Sequence, residues 1–438
     1  MGKKILSGIF VVCILLMGAV LTLGILVAGP APAGANEVLS KTPSLTDRDG
    51  KFNTSVLSDT ADWLADHFFG RQELISCHNR LCTWVFGNSP SEDVILGKEG
   101  WLYYASTLDD YTGTKPMTQQ QLFWAGNNLK LMAQYCQENG REFVFVIAPN
   151  KNSLYPQYMP DFAVVADGKN AQRLHQWLQE NAVPYVDLFA AFADQSGLYF
   201  AHDSHWNSKG AALGADVING ALGVKSNYFA DGFSKSAAHS GDLYEMLYPA
   251  FADTEQNPIY GGQLKFTYTS KATKPDSITL LTHGEGEHTL LCYRDSFGNL
   301  LYPYLADSYA DARFSRSTAY DLTQAGDRVV IELVERNLAY LYTYLPVMPA
   351  PERTVSLPEA AGTISVEVKT VKQPENFLCV QGALPVASEA QIYVVCEGGV
   401  YEAFCLKDNG FGAYVPAGQT VLGIAYYQNG ELRYLTAQ

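Results

Sequence analysis

Alternation of two kinds of segment constrains this chain most. Thr118 and Gln121 form a capping-box pattern, and Leu122, Ala125, Leu129, Met132, Ala133 and Cys136 then recur at helical spacing until Asn139-Gly140 supplies a stop. The run Phe143-Val144-Phe145-Val146-Ile147-Ala148 follows at once, apolar at every position, which predicts a strand buried on both faces. A shorter helix is predicted over Ala171–Glu180, with Leu174, Trp177 and Leu178 on one face, and then a strand over Tyr185–Phe189. Asn207 or Ser208 caps a further helix through Leu213, Val217 and Ile218. After a polar and aromatic stretch from about 224 to 285, read as an insertion, the pattern resumes with a strand at Thr289–Tyr293, a helix through Leu300, Leu301 and Tyr304, and a strand at Val329–Leu333. Neighbouring parallel strands are joined by crossovers that lie over the sheet, so this alternation predicts an α/β fold with helices on both faces of a parallel sheet.

The ends of the chain read differently. Lys3-Lys4 precedes an uncharged apolar stretch from Ile5 to Ala28, and no charged residue follows before Glu37. That is long enough to span a bilayer, so residues 1–28 are expected to form an N-terminal transmembrane helix with the lysines cytoplasmic and the body outside. Ala33-Gly34-Ala35 keeps open the alternative of a cleaved signal and a secreted body. Residues 29–60 begin Gly29-Pro30-Ala31-Pro32 and read as a stalk, and 61–345 form the main domain. A proline cluster at Pro346, Pro349, Pro351 and Pro358 marks a boundary. Beyond it the apolar period changes to two, with Ile364, Val366 and Val368, strands at 391–396 and 421–427, and turns at Asp408-Asn409-Gly410 and Asn429-Gly430, so residues 355–438 are expected to be a small β-sandwich.

A net charge of −15 argues against nucleic acid or anionic lipid as a partner, since both attract a basic surface. The 27 tyrosines suit sugar faces and sheets alike. Eight cysteines are too few for a disulfide scaffold, but Cys77 with Cys82, or two of Cys379, Cys396 and Cys405, are placed to pair in an oxidising compartment. No CxxC or HExxH spacing points to a metal, and no cofactor is expected.

Chemistry concentrates in two segments, Asp203-Ser204-His205-Trp206-Asn207 and Arg294-Asp295-Ser296-Phe297-Gly298. A serine hydroxyl becomes a useful nucleophile when an imidazole takes its proton, and the imidazole needs a carboxylate to fix its tautomer. Ser296, His205 and Asp203 supply those types, each expected just beyond a strand of one sheet and hence on one edge of it. Ser296 is equally suited to capping the following helix, and Asp203 to forming a turn. Trp206 is expected to pack and Asn207 to cap. Asn150, Lys151 and Tyr155 follow another strand on the same edge and are candidates for oxyanion or substrate contacts, as is Arg294, whose side chain is alternatively paired with Asp295.

Taken in order, Ile95-Leu96-Gly97-Lys98-Glu99-Gly100-Trp101-Leu102-Tyr103, Ile147-Ala148-Pro149-Asn150-Lys151 with Leu154-Tyr155-Pro156, Asp203-Ser204-His205-Trp206-Asn207, Gly241-Asp242-Leu243 and Arg294-Asp295-Ser296-Phe297 resemble the SGNH hydrolase-like O-acetyltransferases of the AlgJ/AlgX type and the related DHHW proteins. The resemblance covers roughly residues 60 to 340. It implies a permuted SGNH-like three-layer α/β/α sandwich, a triad of Asp203, His205 and Ser296, and transfer of acetyl groups to hydroxyls of a polysaccharide acceptor. It also implies a membrane-bound O-acyltransferase that supplies the acetyl group, and a tail that is the counterpart of a carbohydrate-binding domain. Arg294 stands where simple esterases of this kind have glycine, which leaves the oxyanion donors unassigned. Two other readings stay open: a carbohydrate acetyl esterase with the same triad, and a catalytically silent glycan-binding or assembly protein.

Overall fold

The apolar run Phe143–Ala148 forms a strand next to one edge of a seven-stranded sheet. The computed structural model describes residues 2–438 except 35–36, 48, 166–168, 373, 387–388 and 429. The sheet comprises β1 (Glu142–Ala148), β2 (Tyr185–Val186), β3 (Thr267–Tyr268), β4 (Thr279–His283), β5 (Thr289–Tyr293), β6 (Asp311–Ser315) and β7 (Arg328–Val334), in the order β2-β1-β7-β5-β6-β4-β3. The five strands from β2 to β6 are mutually parallel. The last two pairings, β6 with β4 and β4 with β3, are antiparallel. The sheet is therefore mixed, and the stretch read as an insertion supplies its far edge: short polar segments such as Thr267-Tyr268 become strands because β4 and β6 offer them an edge. The same stretch contains an antiparallel pair, Phe233–Ala238 with Gln256–Tyr260.

The described chain begins with three helices, α1 (Gly2–Ala28), α2 (Val56–His67) and α3 (Arg71–Phe86). From Ile5 to Ala28, α1 is long and apolar enough to cross a membrane. Of the alternative Ala33-Gly34-Ala35 cleavage site, Ala35 lies outside the described residues, as does Asn429 of the expected last turn. The expected stalk folds back on the helices: Glu37 pairs with Arg71, and Ser40 N donates to Asp66 Oδ2 at 2.7 Å. In the body, α4 (Gln119–Glu138) and α5 (Asn170–Glu180) cover one face of the sheet, packing on Phe143, Phe145, Ile147, Val329 and Ile331. On the other face α6 (Ser208–Ala221) and, after the short α7 (Asp242–Leu247), α8 (Gly298–Ser308) pack on Val144, Val146, Cys292 and Val330. Odd and even positions of each strand thus feed different cores, as strand geometry requires. The capping box at Thr118 and Gln121 is present. The strand expected at Tyr185–Phe189 stops at Val186, because Asp187 accepts from Ala190 N at 3.0 Å and starts a helix over Leu188–Phe192.

The C-terminal strands are β8 (Glu352–Arg353), β9 (Ala360–Ile364), β10 (Glu367–Thr370), β11 (Phe377–Ala383), β12 (Ile392–Cys396), β13 (Gly399–Leu406), β14 (Gly410–Pro416), β15 (Val421–Gln428) and β16 (Glu431–Ala437). They form one hydrogen-bonded path, β9-β16-β15-β12-β13-β14-β11-β10, with β8 beside β13. The expected β-sandwich would have two separate sheets; here β13 joins both halves, pairing with β12 through residues 399–403 and with β14 through 404–406. This sheet shares a continuous apolar core with α4. Asn128 of α4, wholly buried, donates to the carbonyls of Leu341 (2.9 Å) and Cys405 (2.8 Å) and accepts from Cys405 N (3.0 Å). None of the cysteine pairs considered from sequence is bridged: Cys77, Cys82, Cys379, Cys396 and Cys405 are all free thiols.

Candidate active site

The two chemistry-bearing segments meet at the carboxyl ends of the parallel strands. Ser296 follows β5 and precedes α8. Its turn is fixed by Asp295, whose carboxylate accepts from Phe297 N (2.9 Å), Val334 N (2.8 Å) and Asn337 Nδ2 (2.8 Å), tying the turn to the end of β7. Gly298 allows the buried Arg294 side chain to cross under the turn, where a Cβ would overlap it. The helix begins without a side-chain cap, so the Ser296 hydroxyl is not spent on capping.

The His205 loop reaches the same place less directly than expected. The Leu188–Phe192 helix separates it from β2, and the loop is closed by Asn207 N to Leu198 O (2.8 Å) and a bridge between Tyr199 and Trp206. Asn207 caps α6, accepting from Lys209 N (3.0 Å) and Gly210 N (3.2 Å). Trp206 is fully buried and donates from Nε1 to the Phe297 carbonyl at 3.0 Å, which clamps the histidine loop onto the serine turn.

His205 Nε2 lies 2.8 Å from Ser296 Oγ, and His205 Nδ1 lies 2.7 Å from Asp203 Oδ1. With Nδ1–H donated to the carboxylate, Nε2 is left as the acceptor for the serine proton. Asp203 also accepts from His205 N (2.8 Å), His239 Nε2 (2.9 Å) and Asp242 N (3.2 Å). Burial works to raise the Asp203 pKa, but its bonds to His205 and His239 overcome this and hold it well below the usual carboxylate range. Burial works the other way on His205, and the hydrogen bond and charge of Asp203, with Asp242 beyond it, raise its pKa above 6.5 on balance. Asp242 is pushed up by burial and by the nearby Asp203 charge; it accepts from Ser204 N (2.7 Å) and Ser204 Oγ (2.6 Å), and its Oδ2 stands 3.6 Å from His205 Nδ1.

A cavity of about 600 Å³ opens over these groups, lined among others by Tyr104, His239, Asp276, Ser296, Arg316 and Arg336. Arg316 is paired with Asp276 at 2.8 Å. Arg336 is held between the rings of Tyr104 and Phe297, each 5.4 Å from its guanidinium carbon, and among the described residues it makes no ion pair or hydrogen bond.

Asn150, Lys151 and Tyr155 are not on this cavity. Asn150 N donates to Glu335 Oε2 (3.0 Å), and the Tyr155 hydroxyl accepts from Leu198 N (2.9 Å). Lys151 is buried beneath the histidine loop, donating to the carbonyls of Phe200 (3.2 Å), Ala201 (3.0 Å) and Asp203 (2.6 Å); burial, opposed by the nearby carboxylates, lowers its pKa to about 8. Arg294 donates to Asn299 Oδ1 (2.6 Å) and the Pro275 carbonyl (2.6 Å) and does not reach the Asp295 carboxylate, which is spent on the turn. The pairing considered from sequence is therefore absent. Sequence reading missed His239 and Arg336. Arg336 carried a signal, since it follows a buried strand on the same edge; His239 carried none, lying in a polar stretch with no strand to place it.

Residues 94–287 match the family described as SGNH hydrolase-like domain, acetyltransferase AlgX. The family resemblance read from the sequence is thus borne out over residues 94–287. The matched stretch contains Asp203, His205, His239 and Asp242, while Ser296 and Arg336 lie beyond it. The chain is also similar to the probable alginate O-acetylase AlgJ of Pseudomonas syringae pv. tomato (strain ATCC BAA-871 / DC3000), with 25% identity over 173 residues, covering 36% of this chain and 42% of that protein. The chain thus spans well under two thirds of the length of the curated relative it matches. Similar solved structures include the O-acetyltransferase domain of Pseudomonas putida AlgJ (18% identity, TM-score 0.38, 56% of this chain and 91% of that one). Another is a DHHW family protein from Eubacterium siraeum DSM 15702 (14% identity, TM-score 0.43, 58% and 99%).

Proposed function

We propose that this chain is an extracytoplasmic, membrane-anchored O-acetyltransferase that moves acetyl groups onto hydroxyls of a cell-surface or secreted polysaccharide. The observation that carries this reading is the unbroken series Asp203 Oδ1, His205 Nδ1, His205 Nε2, Ser296 Oγ, with steps of 2.7 and 2.8 Å, at the floor of an open cavity. The acetyltransferase-family match over residues 94–287 supports the acyl group, and the apolar α1 supports the anchor.

In the first half-reaction His205 Nε2 takes the Ser296 proton as Oγ bonds to the acetyl carbon, and the imidazolium returns that proton to the leaving group as its bond to the acetyl carbon breaks. In the second half Nε2 takes the proton of a sugar hydroxyl, the sugar oxygen bonds to the acetyl carbon, the bond to Oγ breaks, and the proton returns to Ser296. Asp203 holds Nδ1–H throughout and stabilises the imidazolium. The tetrahedral oxygen needs donors. Phe297 N–H is already spent on Asp295, so the unpaired Arg336 guanidinium is assigned to that charge. The acetyl group is supplied by a membrane-bound O-acyltransferase.

The test is the intact mass of the protein after exposure to a labelled activated acetyl ester, with and without glycan. An acetyl adduct absent in Ser296→Ala, and label on sugar when glycan is added, is the expected result. Label released only as free acetate in the presence of glycan would replace transfer by ester hydrolysis, and an adduct that survives Ser296→Ala would remove the nucleophile.

A further inference from the structure

The helix α3 is amphipathic the wrong way round for a water-facing element. Its inward stripe is polar and hydrogen-bonded to the body: Gln72 Nε2 donates to Pro32 O (2.8 Å), Ser76 Oγ accepts from Ala250 N (2.9 Å), Asn79 Nδ2 donates to Leu247 O (2.8 Å), and Thr83 Oγ1 meets the Tyr248 hydroxyl (3.0 Å). Its outward side carries Leu74, Leu81, Trp84 and Val85, with Trp84 83% exposed, and Phe86 is exposed where the helix ends. Apolar positions on a globular surface helix ordinarily turn to the core, because removing them from water is the main gain of docking it. Here docking is made by hydrogen bonds and the apolar side is left facing out. A contiguous exposed apolar patch of this kind marks an interaction surface.

What covers it follows from where it sits. The turn between α2 and α3 is attached to α1: Phe69 N donates to Leu21 O at 3.0 Å, and the Phe69 side chain lies against Gly24, where a Cβ would overlap it. Ala31 N, just past α1, donates to His67 O at 3.1 Å. Leu21 lies about 10 Å before the end of the apolar run at Ala28, by the rise of an α-helix. The run of 24 residues is about 36 Å long against about 30 Å of hydrocarbon, so its last turn extends into the headgroup layer. The α2–α3 turn therefore lies level with the outer hydrocarbon boundary, and tryptophan is a residue enriched at that depth. A helix with one apolar face, held there, lies in the plane of the interface.

We propose that α3 is a membrane-interface helix whose outward face, centred on Leu81 and Trp84, is embedded in the outer leaflet of the lipid bilayer beside α1. The inference rests on the anchor reading of α1 and adds a second point of contact, which fixes the body's orientation on the membrane instead of leaving it on a tether. Leu247, which receives Asn79, ends α7, and α7 begins with Asp242; the interface helix thus braces the segment behind His205.

The test uses the full chain in vesicles of phosphatidylethanolamine and phosphatidylglycerol, reading the Trp84 signal as the difference between wild type and Trp84→Phe. Loss of most of that signal to lipids brominated on their acyl chains, and little loss to aqueous iodide, is expected. The double variant Leu81→Glu/Val85→Glu, which changes only exposed side chains, is expected to reverse the two while leaving hydrolysis of a soluble ester unchanged. Quenching by iodide in wild type overturns the inference, and protection from both quenchers does so too, since it means a protein partner or a second copy on this face. Retention through an alkaline carbonate wash reports α1 separately: retained protein with an iodide-quenched Trp84 sinks only the interface helix, and protein released by the wash sinks the anchor and the interface helix together.

Discussion

Replacing Asp203 by asparagine is expected to lower kcat/KM for an activated acetyl ester by about 10²- to 10⁴-fold, or about 3–5 kcal/mol of transition-state stabilisation. Four donors converge on this carboxylate, two from His205 on one oxygen and one each from His239 and Asp242 on the other. An asparagine amide offers one acceptor oxygen and an NH2 group. If its oxygen stays on His205, the NH2 confronts Asp242 N–H, and His239 must change tautomer to accept. If the amide flips, the NH2 faces His205 Nδ1, the neutral ring moves its proton to Nε2, and the base no longer accepts from Ser296. The neighbouring Asp242 is the control. Its Oδ2 is 3.6 Å from Nδ1 and is already engaged by Ser204, so Asp242→Asn is expected to cost at most about tenfold, the scale of a second-carboxylate contribution. Rates measured from acid to neutral pH complete the assay. Removing the Asp203 charge also lowers the pKa of His205, so the midpoint of the residual activity is expected to shift to lower pH. Asp203→Asn within tenfold of wild type, or Asp242→Asn matching its loss, would refute the assignment of Asp203 as the orienting group.

Three further outcomes are expected. In wild type the rate should rise with pH through a midpoint above 6.5, since His205 acts only when neutral and Asp203 favours its charged form; a midpoint below 6.5 in the profile of kcat/KM would contradict this. Arg336→Met, which keeps the stem between Tyr104 and Phe297, is expected to lower kcat on a small neutral ester by about 10²- to 10³-fold, as for loss of one oxyanion donor; unchanged kcat with weaker glycan binding would move Arg336 from the oxyanion to the acceptor. Asn128→Ala removes three hydrogen bonds at a fully buried site and is expected to cost about 2–5 kcal/mol, read by calorimetry or denaturant titration of the full chain; a loss within about 1 kcal/mol would make those bonds incidental.

Local sequence was legible where the local signal agreed with the fold. The Thr118–Gln121 box, the Phe143–Ala148 run and the Asn207 cap all act within a few residues of themselves, and each appears where expected. The meeting of Ser296 with His205 was legible at one remove, because loops after parallel strands share an edge. What could not be read depends on distant partners. Thr267-Tyr268 is a strand only because β4 lies beside it, and the far edge of the sheet is antiparallel for that reason. Arg294 looked like a partner for Asp295, but the Asp295 carboxylate is taken by groups from β7 and the residues after it. His239 reaches Asp203 from a polar hairpin whose position the sequence leaves free. Lys151, a candidate for an oxyanion or substrate contact, lies buried beneath the histidine loop with its ammonium group on three loop carbonyls.

The strand β13, held to α4 through Asn128 and one apolar core, makes the C-terminal region a wall of the main body, not cargo attached to it. Such a wall is inherited with its neighbour. Cutting the chain near residue 355 would strip α4 of its cover and leave Leu131 and Leu341, both buried in that shared core, in water. A truncated protein that no longer held glycan would then report a damaged fold, and say nothing about which surface touches sugar. Diversification of this region must proceed by changing the exposed faces of strands such as Glu367–Thr370, residue by residue, because exchanging the whole unit would demand that a foreign partner match the packing of α4.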